Sequence, residues 1–135
     1  MIELPPGAID LLEAPLVAHL ATINRDGSVQ VTPLWIDVED GLLVFNTAVG
    51  RVKDRNVQRD PRCTVEITSD VDDEYYVEIR CVAERRDVEA GDAHSHEIAL
   101  KYTGERFRDL EPGEQRVKWL LTPQRVLGPA ARGQL

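Results

Sequence analysis

Apolar and polar positions change period several times along the chain, and each change marks an element. Ile9, Leu12 and Leu16 recur at helical spacing behind Pro5 and Pro6, which predicts a short helix over 7–13, stopped by Pro15. Leu16 to Ile23 is almost wholly apolar and reads as a strand buried on both faces. Asn24-Arg25-Asp26-Gly27 is a turn, Val29 to Val38 a second strand, Glu39-Asp40-Gly41 a turn, and Leu42 to Asn46 a third strand. Connections this short specify antiparallel hairpins, because a parallel crossover needs about a dozen residues or more.

The second strand is irregular. Val29, Val31 and Trp35 share one parity, while Leu34, Ile36 and Val38 share the other. Pro33 sits near the switch and has no N–H to give a ladder, so a bulge or a free edge is expected there. Such a place exposes backbone that could meet a flat ligand, or it is simply a barrel corner. The clearest hairpin joins 62–68 to 75–83, with Cys63 opposite Cys81 and Val65 opposite Ile79 on the core face. Further on, Asp92 is placed to cap a helix reaching about Tyr102, and Gly104 suits a left-handed C-cap. Residues 105–116 read as loop or short helix, Val117 to Thr122 as the last strand, and the rest as tail. Helix, hairpin strands, helix and strand together predict a mainly β (α+β) fold, a small antiparallel barrel with flanking helices. One domain over 1–135 is expected, with flexible ends at 1–6 and 129–135.

Composition narrows the function. Sixteen Lys and Arg against twenty-four Asp and Glu give a net charge of −8, which argues against nucleic acid as a partner. No apolar run is long enough to cross a bilayer, and the first residues lack the features of a secretory leader, so the expectation is a cytoplasmic protein. Two cysteines are too few for a disulfide scaffold and fit buried, reduced thiols. His94-Ser95-His96-Glu97 lacks metal spacing, since residues two apart on a helix point away from each other, and no metal is expected. His19 reads as a packed, hydrogen-bonded side chain rather than a catalyst, and Trp35, Trp119, Tyr75 and Tyr76 as core or interface residues. Phosphate-loop, dinucleotide and esterase glycine motifs do not occur.

One stretch departs from this background. Between residues 51 and 62, Arg51, Lys53, Arg55, Arg59 and Arg62 face only Asp54 and Asp60. It follows a strand and Gly50 and reads as one short helix. Arg51 and Lys53 fall in the first turn, where the helix dipole favours carboxylates, so cations there oppose the helix unless an anion is bound. The stretch is therefore either an anion site or an ordinary solvated helix face.

Several segments in order resemble a known superfamily. They are Leu20-Ala21-Thr22-Ile23, Asp26-Gly27, Val31-Thr32-Pro33-Leu34-Trp35, Thr47, Gly50-Arg51-Val52-Lys53-Asp54-Arg55-Asn56, Arg59-Asp60-Pro61-Arg62 and Lys101-Tyr102-Thr103-Gly104. The sequence resembles the pyridoxamine 5'-phosphate oxidase-like split-barrel superfamily and, within it, the small deazaflavin reductases that use coenzyme F420. The resemblance implies an antiparallel split β-barrel and a homodimer with a coenzyme groove at the subunit boundary. It places Lys53 on the phosphate or acidic tail, Arg51 beside it, and Thr47 as a hydrogen-bond donor. Val31, Thr32 and Pro33 would offer backbone to the ring system, with Trp35 and Asn46 as neighbours and Tyr75 and Tyr76 near the groove of the other subunit. The implied reaction is hydride transfer to an electron-poor double bond of a planar organic substrate. No catalytic acid or nucleophile is implied, because the coenzyme carries the difficult step. Two alternatives stay open: an FMN-dependent oxidoreductase of the same fold, and a protein that binds such a coenzyme without turnover.

Overall fold

A single antiparallel sheet holds all seven strands, in the order β2-β1-β5-β6-β7-β4-β3. The computed structural model describes residues 2–132. In chain order the elements are α1 (Pro6–Glu13), β1 (Ala18–Ile23), β2 (Val29–Leu34), β3 (Ile36–Glu39), β4 (Leu42–Ala48), α2 (Val52–Arg59), β5 (Arg62–Thr68), β6 (Tyr76–Asp87), α3 (Gly91–Thr103) and β7 (Arg116–Leu127), closed by a 3-10 turn at Pro129–Arg132. The two edge strands, β2 and β3, are joined by Trp35 alone. A sheet whose opposite edges are one residue apart in sequence must curl until the end of one edge strand reaches the start of the other, and with those edges left unpaired this is a split barrel. Phe45, Leu12, Leu20, Ile36, Leu43, Ile67, Ile79 and Leu121 fill its interior.

The expected single strand over Val29–Val38 is therefore two strands. Its free edge lies where Pro33 predicts, because β2 pairs only with β1, Pro33 standing opposite His19. What ends β2 is chemistry contributed from α3. The Ile36 N–H donates to the Tyr102 hydroxyl at 3.1 Å, and that hydroxyl donates to the Leu16 carbonyl at 2.5 Å. Lys101 Nζ donates to the carbonyls of Leu12 and Ile36 at 2.5 and 2.6 Å. One Lys-Tyr pair thus ties α1, the entry to β1 and the start of β3 together.

Other expectations need correction in detail. β1 is not buried on both faces: Ala18, Leu20 and Thr22 are buried while His19, on the other face, is exposed. His19 is hydrogen-bonded as expected, to Glu66 at 3.1 Å, but on that exposed face rather than packed in the core. β6 and β7 run well past 83 and 122, with register shifts at Arg80/Cys81 and Ala83/Arg85. The first shift lets Pro123, which has no N–H, sit inside a strand opposite Cys81. Asp92 does not cap α3; Asp87 Oδ1 accepts the N–H of Ala90 at 2.9 Å instead. Gly104 does take the left-handed cap, with φ 77°. Gly91 is needed for contact: a Cβ there would lie 2.0 Å from the Arg116 carbonyl oxygen, so its absence lets α3 settle onto β7.

The register of β5 and β6 is as expected, with Cys63 opposite Cys81 and Val65 opposite Ile79. Both thiols are free and buried, and burial pushes Cys63 up to about 12. Within the segments expected as flexible ends, Leu4 and Ala130 are buried in the core. Met1 and residues 133–135 lie outside the described residues.

Candidate functional site

The entry of α2 is built around a buried carboxylate. Arg51 stands at the N-cap with no side-chain cap of its own. Asp54, fully buried in the first turn, accepts the Gly50 N–H at 3.0 Å, Arg86 Nε and Nη2 at 3.0 and 2.9 Å, and the Trp119 indole N–H at 2.9 Å. Burial pushes Asp54 upward, but Arg86, Gly50 and Trp119 outweigh it and hold the carboxyl below its usual range. The helix dipole thus has its carboxylate, and that carboxylate is spent on Arg86. Arg51 and Lys53 make no ion pair or side-chain hydrogen bond among the described residues. Burial first, and then the charges of Arg51 and Arg116, push Lys53 below the ordinary lysine value.

The other cations of the stretch go elsewhere. Arg59 donates to the Ile23 carbonyl and to Asn56 Oδ1 at 2.9 and 2.7 Å, rather than facing only water. Arg62 pairs with Asp60 at 2.7 Å on the surface, and Arg55 is exposed.

Arg51 and Lys53 open onto a cleft of about 370 Å3. Its floor and walls come from the β2–β3 junction (Pro33, Leu34, Trp35), from β4 (Asn46, Thr47), from α3 (Ser95, Ile98) and from the far loop and β7 (Phe107, Arg108, Arg116). Trp35 stacks on Tyr102 with ring centroids 5.2 Å apart and planes 17° from parallel, so the junction presents a fixed aromatic wall. Across the cleft, Arg108 and Arg116 both lie 4.7 Å from the Phe107 ring centroid and share Glu114 between them. Arg108, by hydrogen bonding, is the main cause holding Glu114 down at about 2. Four cations line the cleft and, among the described residues, no Asp or Glu does. In a chain of net charge −8 this is a local inversion of sign.

Six of the residues singled out from the sequence meet here: Pro33, Trp35, Asn46, Thr47, Arg51 and Lys53. Four do not line it. Val31 is exposed on the outer side of β2, and Thr32 has a buried hydroxyl with no partner among the described residues. Tyr75 lies against Gly7, and Tyr76 against Gly128. Reasoning from sequence missed Phe107, Arg108 and Arg116, which sit in or just after a stretch with no periodicity. It also missed Ser95, which lies inside the histidine cluster that drew attention as a metal motif, and Ile98, which follows that cluster. That cluster is divided in the fold. His94 is buried against Asn46, and His96 Nδ1 accepts the Phe107 N–H at 3.1 Å.

Residues 5–128 match the family model described as pyridoxamine 5'-phosphate oxidase. The chain belongs to this family. Among solved structures, one named F420 reductase superposes with a TM-score of 0.80 at 26% identity, covering 87% of this chain and 94% of its own. A conserved hypothetical protein from Mycobacterium tuberculosis superposes at 0.66 with 24% identity, over 87% of this chain and 79% of that one. General Stress Protein 26 from Bacillus anthracis gives 0.65 at 16% identity, over 87% and 86%. The last two share the fold. No curated protein matches the sequence. Within the family, the oxidoreductase-type barrel here carries its cationic cleft beside the one-residue junction of the edge strands. No helix among the described residues is long and apolar enough to cross a membrane.

Proposed function

We propose that this protein is an oxidoreductase that binds coenzyme F420 in the cationic cleft and reduces an electron-poor, planar organic substrate. The observation that carries the reading is the pair Arg51 and Lys53, which have no ion-pair partner among the described residues and line a cleft to which no described carboxylate contributes. A half-buried lysine held next to two arginines is unfavourable unless an anion completes the set, and a coenzyme with a phosphate and an acidic tail is such an anion. The likeness to the solved F420 reductase supports the same coenzyme.

When bound, reduced F420 supplies a hydride from a ring carbon. The chain's part is to hold and orient. Lys53 and Arg51 take the negative end, and Thr47 lies within the same wall. Pro33 and Trp35, at the break between β2 and β3, offer backbone and an aromatic edge that no neighbouring strand covers. Two chains pairing over the outer side of β1 and β2 would cover Val29 and Val31, which are 60% and 59% exposed, and would bring Val31 and Thr32 towards a shared groove.

The test is to follow the absorbance of reduced F420 mixed with enzyme and, in turn, a quinone, an enone and a tetrapyrrole. Enzyme-dependent oxidation with at least one acceptor class is expected. Saturable binding with no oxidation by any of them would overturn the reductase reading in favour of a carrier.

A further inference from the structure

The side-chain amide of Asn46 has no N–H left to donate to an anionic ligand. Its Nδ2 donates to the Gly91 carbonyl at 2.9 Å and lies 3.0 Å from His94 Nδ1, and its Oδ1 accepts Arg116 Nε at 2.9 Å. Both N–H groups are used, and the carbonyl oxygen already accepts from Arg116. His94, 4% exposed, is kept neutral by burial and the nearby Lys118, so its Nδ1 acts as the acceptor and the ring proton sits on Nε2. With Nδ2 committed on two sides, the amide cannot flip, and its oxygen stays aimed at Arg116.

Arg116 is then fixed from three directions. Asn46 holds Nε, Glu114 Oε2 holds Nη1 at 2.8 Å, and the guanidinium carbon lies over the Phe107 ring, 4.7 Å from its centroid. Its Nη2 makes no hydrogen bond among the described residues, and the residue lines the cleft with Arg51 and Lys53. A guanidinium that is half-buried, immobilised and left with unused donors is pre-arranged for an anionic oxygen, in a way that the flexible Lys53 is not.

From this geometry we infer that Asn46 is a positioning residue rather than a coenzyme contact, and that with His94 behind it Asn46 presents Arg116 as the fixed anion-binding donor of the cleft. The inference rests on the reading of the cleft as a site for the negative end of a coenzyme, and it makes Arg116 the anchor that sets where a phosphate oxygen comes to rest.

The test measures binding of inorganic pyrophosphate by calorimetry, with F420 titrated in parallel and melting temperatures recorded for every variant. Arg116→Lys keeps the charge but cannot reach Asn46, Glu114 and Phe107 together, so its pyrophosphate affinity is expected to fall about tenfold or more. Asn46→Ala should lose a similar factor with Arg116 untouched, and the double variant should lose no more than either single one. His94→Leu should weaken binding as Asn46→Ala does, whereas His94→Gln, which keeps a neutral acceptor, should restore it at an unchanged melting temperature. If Asn46→Ala does not fold, the isosteric Asn46→Asp serves, and it should lose at least as much affinity because its carboxylate neutralises Arg116. Wild-type affinity in Asn46→Ala or Asn46→Asp, losses that multiply in the double variant, or no pyrophosphate binding by the native chain would each overturn the inference. The expected pyrophosphate pattern without F420 binding overturns the coenzyme reading alone; F420 binding indifferent to Asn46 and Arg116 overturns this inference alone.

Discussion

Replacing Asp54 by asparagine tests the frame on which the cationic cleft stands. The carboxylate is fully buried and accepts from the Gly50 N–H, from two nitrogens of Arg86 and from the Trp119 indole. Asparagine has the same shape but one acceptor oxygen, and its NH2 group would face donors. Removing one partner of a buried pair costs about 3–5 kcal/mol. The Arg86 side chain is 27% exposed, so water satisfies part of it, and the low end, about 3 kcal/mol, is the expected loss. For a chain of this length that corresponds to a melting temperature lower by roughly 10–15 °C. Urea unfolding followed by tryptophan fluorescence reads the loss directly, because Trp119 is one of the partners; the midpoint should fall while the slope stays unchanged. The sign with pH is fixed as well. The folded value of Asp54 lies below the usual 3.8, so its contribution is complete above that pH and disappears as acid protonates the folded carboxyl. The gap between native chain and variant should therefore hold at neutral pH and close below about pH 3.8. A loss under about 1 kcal/mol at neutral pH, or a gap that widens in acid, would refute the reasoning.

Two further outcomes follow, one from the cleft and one from the buried histidine behind it. Lys53→Ala should weaken F420 binding by about tenfold to a hundredfold or more, the loss of a charge-assisted hydrogen bond of roughly 1.5–3 kcal/mol, with a melting temperature unchanged or slightly raised because repulsion from Arg51 and Arg116 is relieved. Unchanged affinity in a fluorescence titration would contradict it. His94, held down to about 4 by burial and by Lys118 and Arg116 against the opposing pull of Glu39 and Asp37, should make the protein acid-sensitive. The unfolded chain takes up the proton near 6.5 and the folded one only near 4, so stability is lost progressively as pH falls through that window, by about 3 kcal/mol in all. Urea midpoints across that range should fall for the native chain and fall much less for His94→Gln; parallel curves would contradict the assignment.

The hairpins were legible in the sequence because strand alternation and short turns are local signals. The Cys63–Cys81 register followed from counting outward from one turn. The break at Trp35 was visible only as a change of parity at Pro33, since its cause, the hydroxyl of Tyr102, lies on a helix far along the chain. The extension of β6 is hidden by the charged run Glu84-Arg85-Arg86-Asp87, which has no apolar alternation to mark a strand, yet Arg86 pairs with a buried aspartate. Asp54 itself looked like a counter-charge among cations. Only the fold shows that it is committed to Arg86, which leaves Arg51 and Lys53 without a carboxylate. Arg108 and Arg116 carried no periodic signal, because a cleft assembled from a loop and a strand end across the barrel is a tertiary property.

Arg51 and Lys53 are proposed to hold the negative end of a redox coenzyme. An equilibrium titration of the native protein with F420 at low salt, with FMN as competitor, tests this most directly. Saturable F420 binding that FMN displaces poorly and that weakens as salt is raised is the expected result. Tight FMN binding with none for F420, or F420 binding indifferent to salt, would contradict it.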